Sequence, residues 1–545
     1  MSQSDGYSTD DGKRKREVHD EKESIAKSQK MHKSPAKSQQ NEEKLDQILN
    51  LLHNLTLEVN QIRAEQLNMV ALCAGMQIAW SSPSLAKLQS EELLDENVLG
   101  RTITNDEASW IGSLLPVGGC IGTKISEYFV DKIGRKKSIF VSSILPFSLT
   151  YVLFLTAFDV HQFYVARFLA GIAVSGVFTI LPLYLAEIAE DCNRGSICCS
   201  MVAFQALGHV ITYTTGYYLS ITVFAYFCLI VVLITGTLVT VLIPESPYYL
   251  VAIKKNNLAE KALIKLRSTI GRGISNELTL ITQIVEEYQE GLGSMIDIFS
   301  IKALRRAQII GLSLITFQTL SGISPILFYA QDIFKEAGTT LEPALCVVIL
   351  GLVQLCISSI TPHLVDKFGR RPMLFSSAVG MFLGDMSLCV YFFLKQFEHD
   401  THLHMKWIPI PALIIYIVSY FIGFGPLVYT VMAEVFPNEV KASAASLVIN
   451  VSWNNTLFEI QISEINTTLN MVKTLTKELE GASSDSVYKR LKSRIAHATG
   501  RILRLILPEE QSAVKNKLYA DANLEDSVTS PETANVLSLF LTLHP

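Results

Sequence analysis

Charge is what this sequence has little of. Only 18% of its 545 residues are Asp, Glu, Lys or Arg, where a soluble domain carries about a quarter. That shortage argues against a soluble globule. The net charge is −5, so the basic surplus that suits a nucleic-acid partner is lacking as well. The polar residues 1–66 contain no apolar leader of the secretory kind. Nor do the nine cysteines make a disulfide or zinc framework. Cys73, Cys120, Cys228, Cys346, Cys356 and Cys389 lie in apolar runs and read as small hydrophobes. Cys198 and Cys199 are adjacent, without the spacing of a zinc pair. The stretch HDTHLH (His399–His404) offers one carboxylate, Asp400, and no metal is expected there. No catalytic constellation is present, so neither an enzyme nor a cofactor is expected.

What is plentiful is apolar length. Hydrophobic residues make up 49% of the chain. Between residues 67 and 442 apolar runs alternate with charged loops, and a helix needs about 20 largely apolar residues to cross a bilayer. Ten runs qualify, at roughly 67–86, 108–130, 138–158, 162–186, 197–219, 221–243, 308–331, 343–365, 372–395 and 408–433. Two charged hairpins nearly repeat one another: DKIGRKK (Asp131–Lys137) and DKFGRRP (Asp366–Pro372). Both sit in short loops, and the long loop 244–307 is rich in Lys and Arg. The positive-inside rule puts these loops, and with them the N terminus, in the cytoplasm of a multi-pass cell-membrane protein.

The flanks are polar. KRKR (Lys13–Arg16) reads as part of a solvated basic tail or as a nuclear signal, the tail being preferred. Leu45, Ile48, Leu52, Leu55, Val59 and Ile62 recur at heptad spacing, which predicts a short coiled coil with a partner through 45–62. At the other end SAASLVINVSWNNTLFE (Ser443–Glu459) begins like an eleventh span, but Asn450, Asn454, Asn455, Glu459 and Glu464 interrupt it. Beyond it Phe458, Ile462, Ile465, Leu469, Val472 and Leu479 form one stripe, expected to belong to a soluble amphipathic helix. The basic stretch Tyr488–Pro508 either lies on an anionic leaflet or is an ordinary solvated helix. The expected organisation is a cytoplasmic tail (1–66), a six-span bundle (67–243), a cytoplasmic helical loop (244–307), an incomplete second bundle (308–456) and a polar, partly helical tail (457–545).

An internal duplication with equivalent loops is a transporter signature. The residues go further. DKIGRKK is followed by RFLAGIAVSGVFTILPLYLAEIAEDCNRG (Arg167–Gly195) and PESPYYL (Pro244–Leu250). The second half has QTLSGISPILFY (Gln318–Tyr329), DKFGRR and GFGPLVYTVMAEVFP (Gly423–Pro437). In this order and at these span ends the chain resembles the sugar porters of the major facilitator superfamily, in particular insect facilitative trehalose and glucose carriers, over about 67–456. The resemblance implies an all-α fold of two pseudo-symmetric bundles, the second here incomplete. It implies a cytoplasmic gate in which Asp131, Arg135, Lys136, Glu187, Arg194 and Glu245 of one half meet Asp366, Arg370, Arg371 and Glu434 of the other when the mouth closes. Plain positive-inside anchoring is the alternative.

A sugar presents a rim of hydroxyls and apolar ring faces, so its site needs amides, hydroxyls and aromatics. Gln318, Thr319, Ser324 and Tyr329 in span seven, Gln354 in span eight, Tyr429 in span ten and Gln205 in span five are the candidates; helix–helix hydrogen bonding is the competing explanation for each. The family pattern is broken at Thr319 (Gln), Ser324 (Asn), Tyr429 (Trp), Val428 (Pro) and Val202 (Gln, with Gln205 nearby), and at Tyr248 and Lys441 (both Arg). Proton-linked relatives carry an acid in the first span, which Leu67–Leu85 lacks, so facilitated diffusion is expected. Asp385 in span nine is assigned to helix packing or the interface. Two functions follow: a facilitative hexose or trehalose carrier working by alternating access, or a truncated carrier relative without transport that acts through its tails. Losing spans eleven and twelve would turn the polar walls of spans seven and ten toward lipid, so impaired transport is expected.

Overall fold

The computed structural model describes residues 35–90, 98–189, 194–267, 272–289, 299–328, 330–337, 341–397, 407–436 and 440–480. KRKR, HDTHLH, Tyr329 and Tyr488–Pro508 lie outside them. Among the described residues every regular element is a helix. Seven helices are long and apolar enough to cross a membrane.

The first half holds six rods. α1 (Pro35–Ala79) leads into the short α2 (Ser81–Gln89), and then come α3 (Asn105–Ile133) and a rod of three pieces. Those pieces are α4 (Arg135–Ile139), a wider π turn (Phe140–Ile144) and α5 (Leu145–Leu155). α6 (Val160–Ile188), α7 (Arg194–Tyr218) and α8 (Ile221–Leu242) complete the half. Capping boxes start α3 (Thr104 with Glu107) and α6 (Asp159 with Gln162), so the orphan amides at both helix starts are met locally. Arg167 of α6 is fully buried among α1, α2 and α3. It donates to the carbonyls of Ile111 (3.1 Å) and Gln77 (2.9 Å) and to Ser81 (3.3 Å), and lies 5.3 Å from the Trp80 ring. A charge so deep is tolerable because backbone dipoles and a π face surround it.

Three helices follow at the hairpin end: α9 (Pro247–Ala252), α10 (Asn256–Arg267) and α11 (Arg272–Gln289). Leu250, Val251, Ala259, Leu263, Ile274 and Ile281 form their own small core. Arg267 ties it to the bundle, bonding Glu277 at 2.7 Å and the Ile188 carbonyl at 2.9 Å.

The second half is broken twice. α12 (Lys302–Thr319), α13 (Ile323–Phe328) and α14 (Ala330–Ala337) share one rod, interrupted at Gly322 with φ +87°. α15 (Pro343–Phe368) and α16 (Arg370–Phe397) are continuous, whereas α17 (Pro409–Ile422) and α18 (Phe424–Val435) part at Gly423. The last element, α19, runs unbroken from Lys441 to Glu480 over 40 residues, about 60 Å, more than the ~30 Å hydrocarbon core needs.

The stretch read as an interrupted eleventh span and the helix expected beyond residue 456 belong to one element, and α19 packs against α3, α6, α12 and α13. Its inner face is buried through Val448, Ile449, Trp453, Thr456 and Ile460. Of the stripe, Phe458 and Ile462 are 57% and 40% exposed, and the side chains of its later residues are outside the description. The asparagines that broke the hydropathy signal are satisfied inside the fold. Asn450 donates to Thr123 (2.9 Å) and the Cys120 carbonyl (2.8 Å), Asn455 to Thr319 (3.1 Å), and Asn454 to the Asn450 carbonyl (2.9 Å). The described chain thus has six rods and then five, the last of them α19. The wall of the seventh rod is covered by α19 through Asn455 and Thr456.

The heptad stretch belongs to one helix, α1. It continues straight into the first rod, whose buried face there is Asn60, Ala64 and Leu67, while the seam residue Ile62 is 52% exposed.

Candidate functional site: a cavity between the halves and two charged latches

A cavity of about 100 Å³ lies between the halves. Gln205, Gln318, Thr319, Ser324 and Tyr429 line it, together with Phe178, Trp453 and Thr456. Five of the seven residues proposed from sequence therefore meet. Tyr329 is outside the described residues. Gln354 is elsewhere: it is buried and bonds His209 of α7 at 2.9 and 3.1 Å, a helix–helix link between the halves. Asp385 does not line the cavity.

The broken helices build the site because each break frees backbone groups that side chains must satisfy. Gln318, at the end of α12, donates to the Tyr420 hydroxyl (3.0 Å) and the carbonyls of Phe424 (3.0 Å) and Gly425 (3.3 Å), pinning the α17–α18 break. Its amide oxygen is buried and has no protein partner. Tyr416 and Ser321 bond each other across the same junction at 2.9 Å. From α19, Thr456 meets Ser324 at 3.3 Å and Asn455 holds Thr319. Aromatic faces close the other walls. Phe178 stacks on Tyr429 with centroids 5.5 Å apart, and Trp453 meets Phe178 edge-on at 6.5 Å. Acceptors, donors and flat apolar faces thus converge on one space. Trp453, Thr456 and Phe178 were not among the sequence candidates. The first two sit in the stretch whose asparagines argued against a span, although the Trp of VSWNNT was itself a signal.

The charged hairpins sit at one end of the molecule, each inside its own half. Gly134 (φ +91°) and Gly369 (φ +82°) turn them, conformations that favour glycine. In the first, Arg135 forks onto Glu187 at 2.9 and 3.1 Å, and Ser246 donates to the same carboxylate. Glu245 accepts the amides of Lys136 and Ser246, each at 3.0 Å. The Tyr249 ring covers the guanidinium at 5.5 Å, and its hydroxyl donates to the Lys132 carbonyl at 3.0 Å. In the second, Arg370 donates to Glu434 at 2.7 Å. Asp131 and Arg371 are exposed, and the side chains of Arg194 and Asp366 are outside the description. The two ion pairs described at the hairpins, Arg135–Glu187 and Arg370–Glu434, each lie within one half. The halves also meet along α3 and α19: Ser446 donates to Glu127, which accepts from its own neighbour Lys124 (3.1 Å) as well, and Asn450 bonds Thr123. Sequence reading missed this seam because half of it lies in α19.

A family model described as "Sugar (and other) transporter" matches residues 13–470, past both limits read from the motifs. The chain is 30% identical over 397 residues to the facilitated trehalose transporter Tret1 of Anopheles gambiae, covering 72% of this chain and 49% of that protein. To the Tret1 of Culex quinquefasciatus it is 28% identical over 397 residues, covering 72% and 75%. The chain thus spans about half the length of the Anopheles relative. Among solved structures it resembles the proton:xylose symporter XylE bound to 6-bromo-6-deoxy-D-glucose, with TM-score 0.63 and 21% identity over 82% of this chain and 97% of that one. It also resembles the inward-open xylose transporter XylE from E. coli, with TM-score 0.55 and 19% identity over 84% and 98%. The fold is that of the major facilitator superfamily, and the chain belongs to its sugar transporter family.

Proposed function

We propose that the protein carries a sugar across a cell membrane by alternating access, as a uniporter, with the latches and the N terminus in the cytoplasm. The observation that carries this reading is the cavity. Amide and hydroxyl groups of Gln205, Gln318, Thr319, Ser324 and Thr456 face it beside Phe178, Tyr429 and Trp453, the mixture that a hexose or trehalose unit requires. Related Tret1 proteins are trehalose transporters, which makes trehalose and glucose the first substrates to try. The polar links along α3–α19 and between His209 and Gln354 seal the halves on either side of the cavity and would have to part in turn. The basic loops at the latch end support its cytoplasmic placement.

The test is uptake of radiolabelled glucose and trehalose into proteoliposomes holding the full chain. Saturable uptake that is lost in Gln318→Ala and Trp453→Ala is expected. Uptake no greater than in protein-free vesicles would favour a carrier relative without transport.

A further inference from the structure

One acid approaches the cavity, and it comes from α19. Glu459 lies one turn beyond Asn455 and Thr456, both of which contact the seventh rod. Its Oε1 accepts the Gly322 amide at 3.2 Å, at the point where that rod breaks. Its Oε2 is buried, and the Ser324 hydroxyl is the one side-chain group described beside it. Among the described residues, the elements around it bring no cation. Lys124 is the next base along α3 after the acid Glu107, and it is engaged with Glu127. On α6, Arg167 is bound to backbone and to Ser81. α12 has no base after Arg306, near its far end, and α13 has none. The titratable groups that face Glu459 are the Tyr416 and Tyr420 hydroxyls of α17, and these are bonded to Ser321 and Gln318.

Burying an unpaired carboxylate costs far more than burying a carboxylic acid. A carboxyl with one oxygen on a backbone amide and the other beside a lone hydroxyl, which can accept as well as donate, is suited to carry a proton on the second. We propose that Glu459 is a proton-dependent clasp on the seventh rod. Protonated at Oε2, it stays buried and holds Gly322, keeping the break closed beside the cavity. When the break opens to water the proton leaves to solvent and the carboxylate is hydrated, which favours the open form. A carrier must close in every cycle, so sugar exchange slows as pH rises. This assigns pH sensitivity to a chain whose first span has no acid, and it rests on the sugar-carrier reading only for its transport readout.

Two measurements test it on the full chain in proteoliposomes. In the first, equilibrium exchange of labelled glucose is followed from acidic to neutral pH. Wild type is expected to slow several-fold, whereas Glu459→Gln, which keeps the oxygen acceptor but cannot titrate, stays at the fast level throughout. The same pH dependence in both proteins would overturn the proposal. The second needs no sugar. Infrared difference spectra between the two pH values should show a protonated-carboxyl band in wild type that is missing from both Glu459→Gln and Glu459→Ala; a band that survives in either would overturn it. If no protein exchanges glucose but the band behaves as expected, the clasp stands and the substrate assignment fails.

Discussion

The two hairpins are alike in sequence and unlike in their surroundings. Arg135 and Glu187 keep only 14% and 8% of their side-chain surface exposed, under Tyr249 and beside Ser246 and Glu245. Arg370 and Glu434 keep 36% and 39%, and their bond is 2.7 Å. The first copy is covered because α9, which begins PYYL, folds back over it; among the described residues the second has no such helix. A motif fixes the turn and the pair, while the helix packed above it sets how much the pair matters. The same charges therefore form a structural weld in one half and an exposed link in the other.

The largest way to break this contrast is to remove one partner of the weld. Glu187→Ala leaves a buried guanidinium with its fork empty, which costs about 3–5 kcal/mol. Glu434→Ala should cost no more than about 1 kcal/mol. Thermal unfolding of the two purified variants in detergent checks the difference, and equal losses would remove the distinction. Next is the cavity. Gln318→Ala strips the α17–α18 break of three acceptor contacts, for about 1–3 kcal/mol, together with loss of sugar uptake. Gly119→Val should be comparable in effect on uptake: a Cβ there would come within 2.5 Å of the Trp453 ring, so the indole must leave the cavity wall. Sugar-dependent quenching of tryptophan fluorescence should then disappear.

Asn450→Ala removes one link between α3 and α19 and should cost about 0.6 kcal/mol, read by the same unfolding assay. The smallest effect lies at the opposite end. Arg101 and the Thr104 amide hold the Glu107 carboxyl down at about 2, from an ordinary 4.5. That stabilisation is present above the ordinary value and fades as pH falls toward the lowered one. The pair is solvent-exposed on the Arg101 side, so the gain is slight. Unfolding midpoints of Arg101→Ala and wild type should converge in acid and differ slightly at neutral pH.

Which parts of this were legible in the sequence follows from where polar groups find their partners. Runs such as Ile221–Leu242 declare themselves because their own composition suits lipid. The repeated hairpins gave the two-half plan, and the polar residues of spans five, seven and ten gave five cavity positions. α19 was hidden because Asn450, Asn454 and Asn455 look fatal to a span when counted alone; the acceptors of Asn450 and Asn455, namely Thr123, Cys120 and Thr319, are remote in sequence. Gln354 misled in the reverse sense, since a mid-span amide looks like a ligand until His209 is found opposite it. The heptad seam at 45–62 is a regular pattern, but the face packed at its end is Asn60–Ala64–Leu67.

The central claim is that two halves carrying their own latches move apart along the α3–α19 seam to expose the cavity. Joining Glu127→Cys to Ser446→Cys with a short thiol cross-linker, in the full chain in proteoliposomes, tests it most directly. Sugar uptake should stop in proportion to cross-linking and return when a cleavable linker is cut. Undiminished uptake with the seam fully cross-linked would contradict it.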